Sequence, residues 1–217
     1  MKSYWVKSPK WLKLLFPNYK WHYESSSKVI YLTFDDGPML KSTDFILDSL
    51  RKYNAKATFF CIGENVRKYP QLADKIKKEE HSIGNHTQHH LNGWKTKTEA
   101  YIKDSLKGEE TLNKYIKDSS HKLFRPPYGK CTRKQRKLLL QRGYKLIMWS
   151  VLSADFDKDI SNDQCLQNII KNTSNGSIVI LHDSDKFIEK VKYVLPKVLS
   201  HFHELGYTFK RIDSSTQ

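Results

Sequence analysis

Cysteine is almost missing from this sequence. Cys61, Cys131 and Cys165 are the only three in 217 residues. They are too few and too scattered for a disulfide framework or a cysteine-based zinc site, and their odd number suits a reducing compartment. Cys61 falls in an apolar strand and reads as a small core residue. Long hydrophobic runs are missing too, and nothing approaches the roughly 18 apolar residues that cross a bilayer. In the opening "MKSYWVKSPKWLKLLFPNYKW" the best run is "LLF", preceded by Lys13 and ended by Pro17. A cleavable secretory signal needs about 7 apolar residues or more, so the expected location is cytoplasmic or peripherally membrane-associated.

Negative charge is also short: 23 Asp and Glu against 38 Lys and Arg leave a net charge of +15. Such a field favours an anionic partner, for example a membrane surface or an acidic polymer. The lysines are spread along the chain instead of forming a block, and no nucleic-acid partner is expected. What is present, 38% apolar residues with 12% aromatics, is too hydrophobic for disorder. The length buries a core of single-domain size, and no repeat or linker divides it. Residues 1–27 read as a basic, aromatic arm before a domain over 28–217. The arm's Trp5, Trp11, Leu14, Leu15, Phe16 and Trp21 suit a peripheral membrane contact or packing against the domain, and packing is the expectation.

Seven strand patterns, over 29–34, 56–61, 81–85, 122–125, 144–150, 177–181 and 207–212, alternate with helical ones. The helices are expected near 43–53, 71–80, 98–116, 132–142, 162–172 and 187–204. Apolar residues recur there at steps of three and four, as at Val191, Val194, Leu195, Val198 and Leu199. Asn54, Gly143 and Gly206 stand where helices should stop, at positions that tolerate a left-handed backbone. The alternation predicts an α/β fold, a parallel sheet with outer helices, open or closed into a barrel. In such folds ligands bind beyond the carboxyl ends of the strands. "DDGP", "HTQHH", "RPPYG", "SVLSADFD" and "HDS" all fall there, so the polar chemistry converges on one rim.

His86 and His90 are four residues apart, and on a helical turn two such imidazoles face one ion. His89 lies off that face. One of Asp35 and Asp36 would complete a His₂Asp set with positions left open for water and substrate, as catalytic zinc requires. A cation there would offset one of two carboxylates that are costly at the end of an apolar strand. Arg125, at a strand end on the same rim, is the candidate partner for the other. His182 follows a strongly apolar strand and reads either as a hydrogen-bonded histidine at a sheet edge or as a general acid, since histidine titrates near neutrality. Asp155 is a possible partner for it, with Asp183 and Asp157 also allowed by spacing.

"TFDDGP", "HTQHH", "RPPYG" and "ILHD" together resemble the motifs of the polysaccharide deacetylase family, the NodB-homology domain or carbohydrate esterase family 4. The resemblance runs from about residue 28 to 212 and implies a distorted (β/α) barrel, often seven-stranded. It implies that Asp35 is the general base, that Asp36, His86 and His90 bind the metal, and that Arg125 orients the base. The Tyr128 N–H would help hold the oxyanion, His182 would be the general acid tuned by Asp155, and Leu181 would line the acetyl pocket. Where the family usually has an aspartate followed by tryptophan, this sequence has Asp155-Phe156. Where it often has an aspartate three residues earlier, this sequence has Leu152.

The chemistry so implied is metal-dependent removal of N-acetyl groups from N-acetylglucosamine-type sugars in a poly- or oligosaccharide. The metal is expected to be Zn²⁺, with Co²⁺, Ni²⁺ or Mn²⁺ compatible with the same donors. The expected partner is an acetylated glycan, anionic or envelope-associated. An O-acetyl esterase acting on a xylan-like glycan, or a non-catalytic glycan-binding protein on the same fold, are the competing readings.

Overall fold

The computed structural model describes residues 4–116, 122–213 and 216. Among the described residues nine strands form one sheet: β1 (Tyr19–Lys20), β2 (Val29–Asp35), β3 (Ala57–Cys61), β4 (Ser82–Asn85), β5 (Leu123–Phe124), β6 (Lys145–Ile147), β7 (Val151–Leu152), β8 (Ser177–His182) and β9 (Thr208–Phe209). The helices are α1 (Lys10–Leu15), α2 (Thr43–Arg51), α3 (Gly63–Lys68), α4 (Pro70–Lys78), α5 (Thr98–Ile116), α6 (Arg133–Gln141), α7 (Asn162–Ile170) and α8 (Ile188–Glu204). None is long and apolar enough to cross a membrane. Local chemistry sets their ends. Thr132 with Gln135 and Ser161 with Gln164 form capping boxes that open α6 and α7. Asn54, Gly143 and Gly206 take φ of 48°, 81° and 78° just beyond α2, α6 and α8, as expected for helix stops.

The strand order is β1-β6-β5-β4-β3-β2-β8-β7, with β9 also on β2, and every ladder between these strands is parallel. The sequence pattern over 144–150 predicts one strand; the structure ends β6 at Ile147 and starts β7 at Val151, just beyond that range. Met148 N donates to Lys20 O at 2.8 Å, whereas Ser150 N donates to Ile178 O at 2.9 Å. Within three residues the backbone changes partners from one edge of the sheet to the other, which curls the sheet into a distorted barrel. Counted as one bent stave, β6 and β7 complete the seven strands read from the sequence. The arm adds β1 on β6 and buries Tyr19 and Trp21, whereas Trp5, Trp11, Leu14 and Leu15 stay exposed, so the expected packing holds for only part of it.

Strand alternation then decides what the barrel encloses. On β2, Ile30, Leu32 and Phe34 face the main core beneath the helices. Val29 and Tyr31 face inward to Phe60, Leu123, Ile147 and Ile178. All seven residues of β2 are buried, the pattern of a parallel strand covered on both sides. Continuing the inward face, Thr33 leads to Asp35, Leu123 to Arg125 and Ile178 through Ile180 to His182. Period-2 geometry alone brings a carboxylate, a guanidinium and an imidazole to the carboxyl-end rim.

Candidate active site

Asp35 and Arg125 form the deepest pair. Arg125 is fully buried, and its Nη1 donates to Asp35 Oδ1 at 2.7 Å and to Thr33 Oγ1 at 2.8 Å. Its Nε donates to Ile147 O at 3.1 Å and its Nη2 to Met148 O at 2.9 Å, while the guanidinium carbon lies 4.2 Å from the Phe60 ring centroid. Burial pulls the Arg125 pKa below its usual value, and the Asp35 charge and hydrogen bond oppose that pull. A buried ion pair is tolerable only when such additional hydrogen bonds satisfy the charged group. Asp35 Oδ2 is left on the side of His86, 3.8 Å from its Nε2.

Asp36 follows Asp35 in sequence, so a straight strand would turn it outward. Its φ of 81° turns it inward instead. The chain therefore turns one residue before Gly37-Pro38. Asp36 N donates to Phe60 O at 3.2 Å and Asn65 Nδ2 donates to Asp36 O at 2.7 Å, fixing this strained position from two sides. Gly37 is required by close approach, because a Cβ there would sit 2.1 Å from Asp183 Oδ2.

His86 and His90 do reach one point, although not by the predicted helical spacing. The 86–90 segment is a loop in which Thr87 and His90 have φ of 66° and 57°. Asp104, on α5, holds it: its carboxylate accepts from Gln88 N at 3.1 Å and His89 N at 3.0 Å, and pairs with His89 Nδ1 at 2.5 Å. His89 thus serves the loop and not the ion. We expect Asp104→Ala to weaken divalent-metal affinity about 10- to 100-fold, the usual cost of losing an outer support of metal ligands. Chelator competition measures this, and an unchanged affinity would contradict it.

Asp36, His86 and His90 place one donor atom each within 4.8 Å of one another. Asp36 Oδ1 lies 3.6 Å from His86 Nε2 and 3.2 Å from His90 Nε2, and it is buried without a hydrogen-bond partner among the described residues. His86 Nδ1 is 2.7 Å from Arg125 O, which fixes the ring and leaves Nε2 for an ion. Burial lowers the His86 pKa to about 4 despite the Asp35 charge, so the ring is neutral, as a ligand must be. An orphaned carboxylate oxygen facing two imidazole nitrogens fits a divalent cation with N/O preference.

His182 faces this group across the cleft. Its Nδ1 is 2.7 Å from Asp155 Oδ1, and its backbone N donates to Asp155 Oδ2 at 2.7 Å. The alternatives left by spacing are engaged elsewhere: Asp183 accepts from Ser42 and Thr43 at 2.6 and 2.7 Å, and Asp157 from the Tyr4 hydroxyl. Burial opposes charging of His182, yet the Asp155 charge and hydrogen bond, with Asp36 and Asp35 beyond, raise its pKa to about 9. Phe156 meets the imidazole edge-on at 5.5 Å. The Tyr128 ring lies 4.6 Å from that of His90. Hydrogen bonds of its turn run from Gly129 N to Pro126 O and from Lys130 N to Pro127 O, neither of them using the Tyr128 N–H.

One expectation needs correction. Leu181 does not line the cleft. It alternates to the opposite face of β8, is fully buried in the main core, and leaves Ile180 and Leu152 on the cleft wall. Sequence reasoning also missed Tyr4, Trp149 and Phe187, which line the same cavity of about 800 Å³. Nothing in their local sequence marks them; only the closed barrel brings them there.

Fold and site together define a hydrolase with a metal site on the rim of a parallel barrel. Residues 22–147 match the polysaccharide deacetylase family. The chain is 39% identical over 189 residues to a peptidoglycan-N-acetylglucosamine deacetylase of Bacillus cereus, spanning 87% of this chain and 68% of that protein. It is 33% identical over 194 residues to the peptidoglycan-N-acetylmuramic acid deacetylase PdaA of Bacillus subtilis, spanning 87% of this chain and 72% of that one. The crystal structure of the Bc1960 peptidoglycan N-acetylglucosamine deacetylase in complex with 4-naphthalen-1-yl-N-oxidanyl-benzamide matches with a TM-score of 0.86 at 32% identity, covering 94% of this chain and 95% of that one. The chain belongs to the polysaccharide deacetylase family. It is a metal-dependent polysaccharide N-deacetylase on the distorted barrel that the motifs implied.

Proposed function

We propose that the protein removes N-acetyl groups from N-acetylglucosamine residues of peptidoglycan, with zinc as its metal. The single observation that carries the chemistry is the convergence of three groups on one cleft: Asp36–His86–His90, Asp35–Arg125 and His182–Asp155. The relatives named above support the glycan.

Asp36, His86 and His90 would hold a divalent ion, which would supply Lewis-acid chemistry: polarisation of the acetyl carbonyl and a water pKa lowered to about 7. Arg125 fixes Asp35 through Oδ1, so Oδ2 is the atom that accepts the proton of the attacking water. The Tyr128 N–H, which neither hydrogen bond of its turn uses, would donate to the oxyanion of the tetrahedral intermediate. Asp155 holds His182 Nδ1, so Nε2 carries the proton that reaches the departing nitrogen. An amide expels its amine only when that nitrogen is protonated, whereas an ester needs such an acid far less. A strongly supported His182 therefore favours the N-deacetylase over the O-acetyl esterase.

The reaction needs protonated His182, so activity is lost as pH rises through its pKa. A bound cation displaces that limb below about 9, and Asp155→Asn, which removes the charge that raises the pKa, displaces it further. The pH profile of kcat/KM checks this; an unmoved alkaline limb in Asp155→Asn would contradict the acid assignment. The function itself is tested by acetate release from peptidoglycan and N-acetylglucosamine oligomers beside acetylated xylan. Release from the amides carries the proposal, and release from xylan alone would replace it with the esterase.

A further inference from the structure

The cleft wall around His182 includes a residue from the arm. Lys7 pairs with Val151 in an antiparallel bridge. Leu152 N donates to Val6 O at 2.8 Å, Ser8 N to Ser150 O at 2.9 Å, and Ser8 Oγ to Trp149 O at 2.7 Å. The arm thus occupies the edge of β7 that β8 does not use. Because it runs antiparallel, passing from Ser8 back to Tyr4 follows β7 forward, toward the rim. Tyr4 arrives beside the residues that continue β7 into the Asp155-Phe156 turn.

There it grips that turn twice. The Tyr4 ring meets Phe156 edge-on, with centroids 5.6 Å apart, and its hydroxyl donates to Asp157. Phe156 in turn meets His182 at 5.5 Å. Tyr4 and His182 are the two ring contacts of Phe156 among the described residues. Phe156 is thus in ring contact with both Tyr4 and the imidazole. Tyr4, Leu152, Phe156 and Ile180 together form the apolar side of the cleft.

We propose that Tyr4 is a specificity-determining residue: by holding Phe156 against His182 it fixes the apolar wall and restricts the acyl group that the cleft accepts to acetyl. Tyr4 acts through Phe156 and is a positioning residue, not a catalytic one. The proposal rests on the deacetylase reading of the same cleft. One methylene in an apolar pocket changes kcat/KM by about 10- to 200-fold, so releasing the wall has a measurable range in which to act.

The test compares N-propionyl with N-acetyl glucosamine oligomers in the full-length chain. The ratio of their kcat/KM values cancels differences in folded fraction and metal loading. Tyr4→Ala is expected to raise the propionyl-to-acetyl ratio about tenfold, and Tyr4→Phe, which keeps the ring on Phe156, to hold it within about twofold. A ratio unchanged in Tyr4→Ala overturns the proposal. If the wild-type chain hydrolyses neither substrate, the deacetylase reading fails first, and the wall is read by ligands. The relative affinity of the zinc-loaded protein for butyrohydroxamate over acetohydroxamate then rises in Tyr4→Ala if Tyr4 sets the wall, and its constancy refutes that role.

Discussion

Asp35→Asn lowers kcat about 10²- to 10⁴-fold, the range expected for loss of a positioned general base, and leaves one metal ion per chain in place. The two parts of this result separate the adjacent aspartates. Asparagine keeps the shape of the side chain, and its carbonyl oxygen still accepts from Arg125 Nη1. The amide that replaces Oδ2 on the His86 side cannot take a proton from water. Metal binding is spared because its carboxylate ligand is Asp36, turned into the site by its positive φ. Single-turnover acetate release and metal analysis of the same preparation measure both halves. Robust turnover in Asp35→Asn removes the base assignment, and loss of metal from it reverses the two roles.

Arg125→Met destabilises the fold by about 3–5 kcal/mol, the cost of stranding one partner of a buried ion pair. Asp35 is 3% exposed, and its Oδ1, which faces Arg125 and not the cleft, would lose its charged donor. Thr33 Oγ1 and the carbonyls of Ile147 and Met148 lose their donors in the same substitution. The double variant Asp35→Asn with Arg125→Met removes the stranded charge. It is expected to be less destabilised than the sum of the two single changes, by about 1 kcal/mol or more. Denaturant unfolding of the metal-free chains gives all four corners of this cycle. Additivity within about 0.5 kcal/mol would mean that the pair is not energetically coupled.

The legibility of this molecule in its sequence follows its periodicities. The seven staves, the helix stops at Asn54, Gly143 and Gly206, and the rim that carries "DDGP", "RPPYG" and "HDS" are local patterns, and the structure has them all. Period-2 alternation also delivers Asp35, Arg125 and His182 to the inside of the barrel. Where the backbone leaves its regular period, the reading fails. His86 and His90 suggested a helical face but meet through two left-handed residues and the Asp104 clamp. The resemblance puts Leu181 on the acetyl pocket, whereas alternation from His182 selects Ile180. The early end of β6 and the new strand at Val151 depend on barrel closure, and Tyr4 reaches the cleft only because the arm pairs with β7. Contacts between residues so distant in sequence leave no local trace.

The most direct test of the deacetylase site is acetate release from N-acetylglucosamine oligomers during metal removal and return. The chain stripped by a chelator is expected to release no acetate, and activity should return in proportion to zinc added, saturating at one ion per chain. His86→Ala should break this proportionality by failing to retain the ion. Full acetate release by the metal-free chain, or a zinc-saturated chain that deacetylates no glycan, would contradict the assignment of Asp36, His86 and His90 as the centre of the reaction.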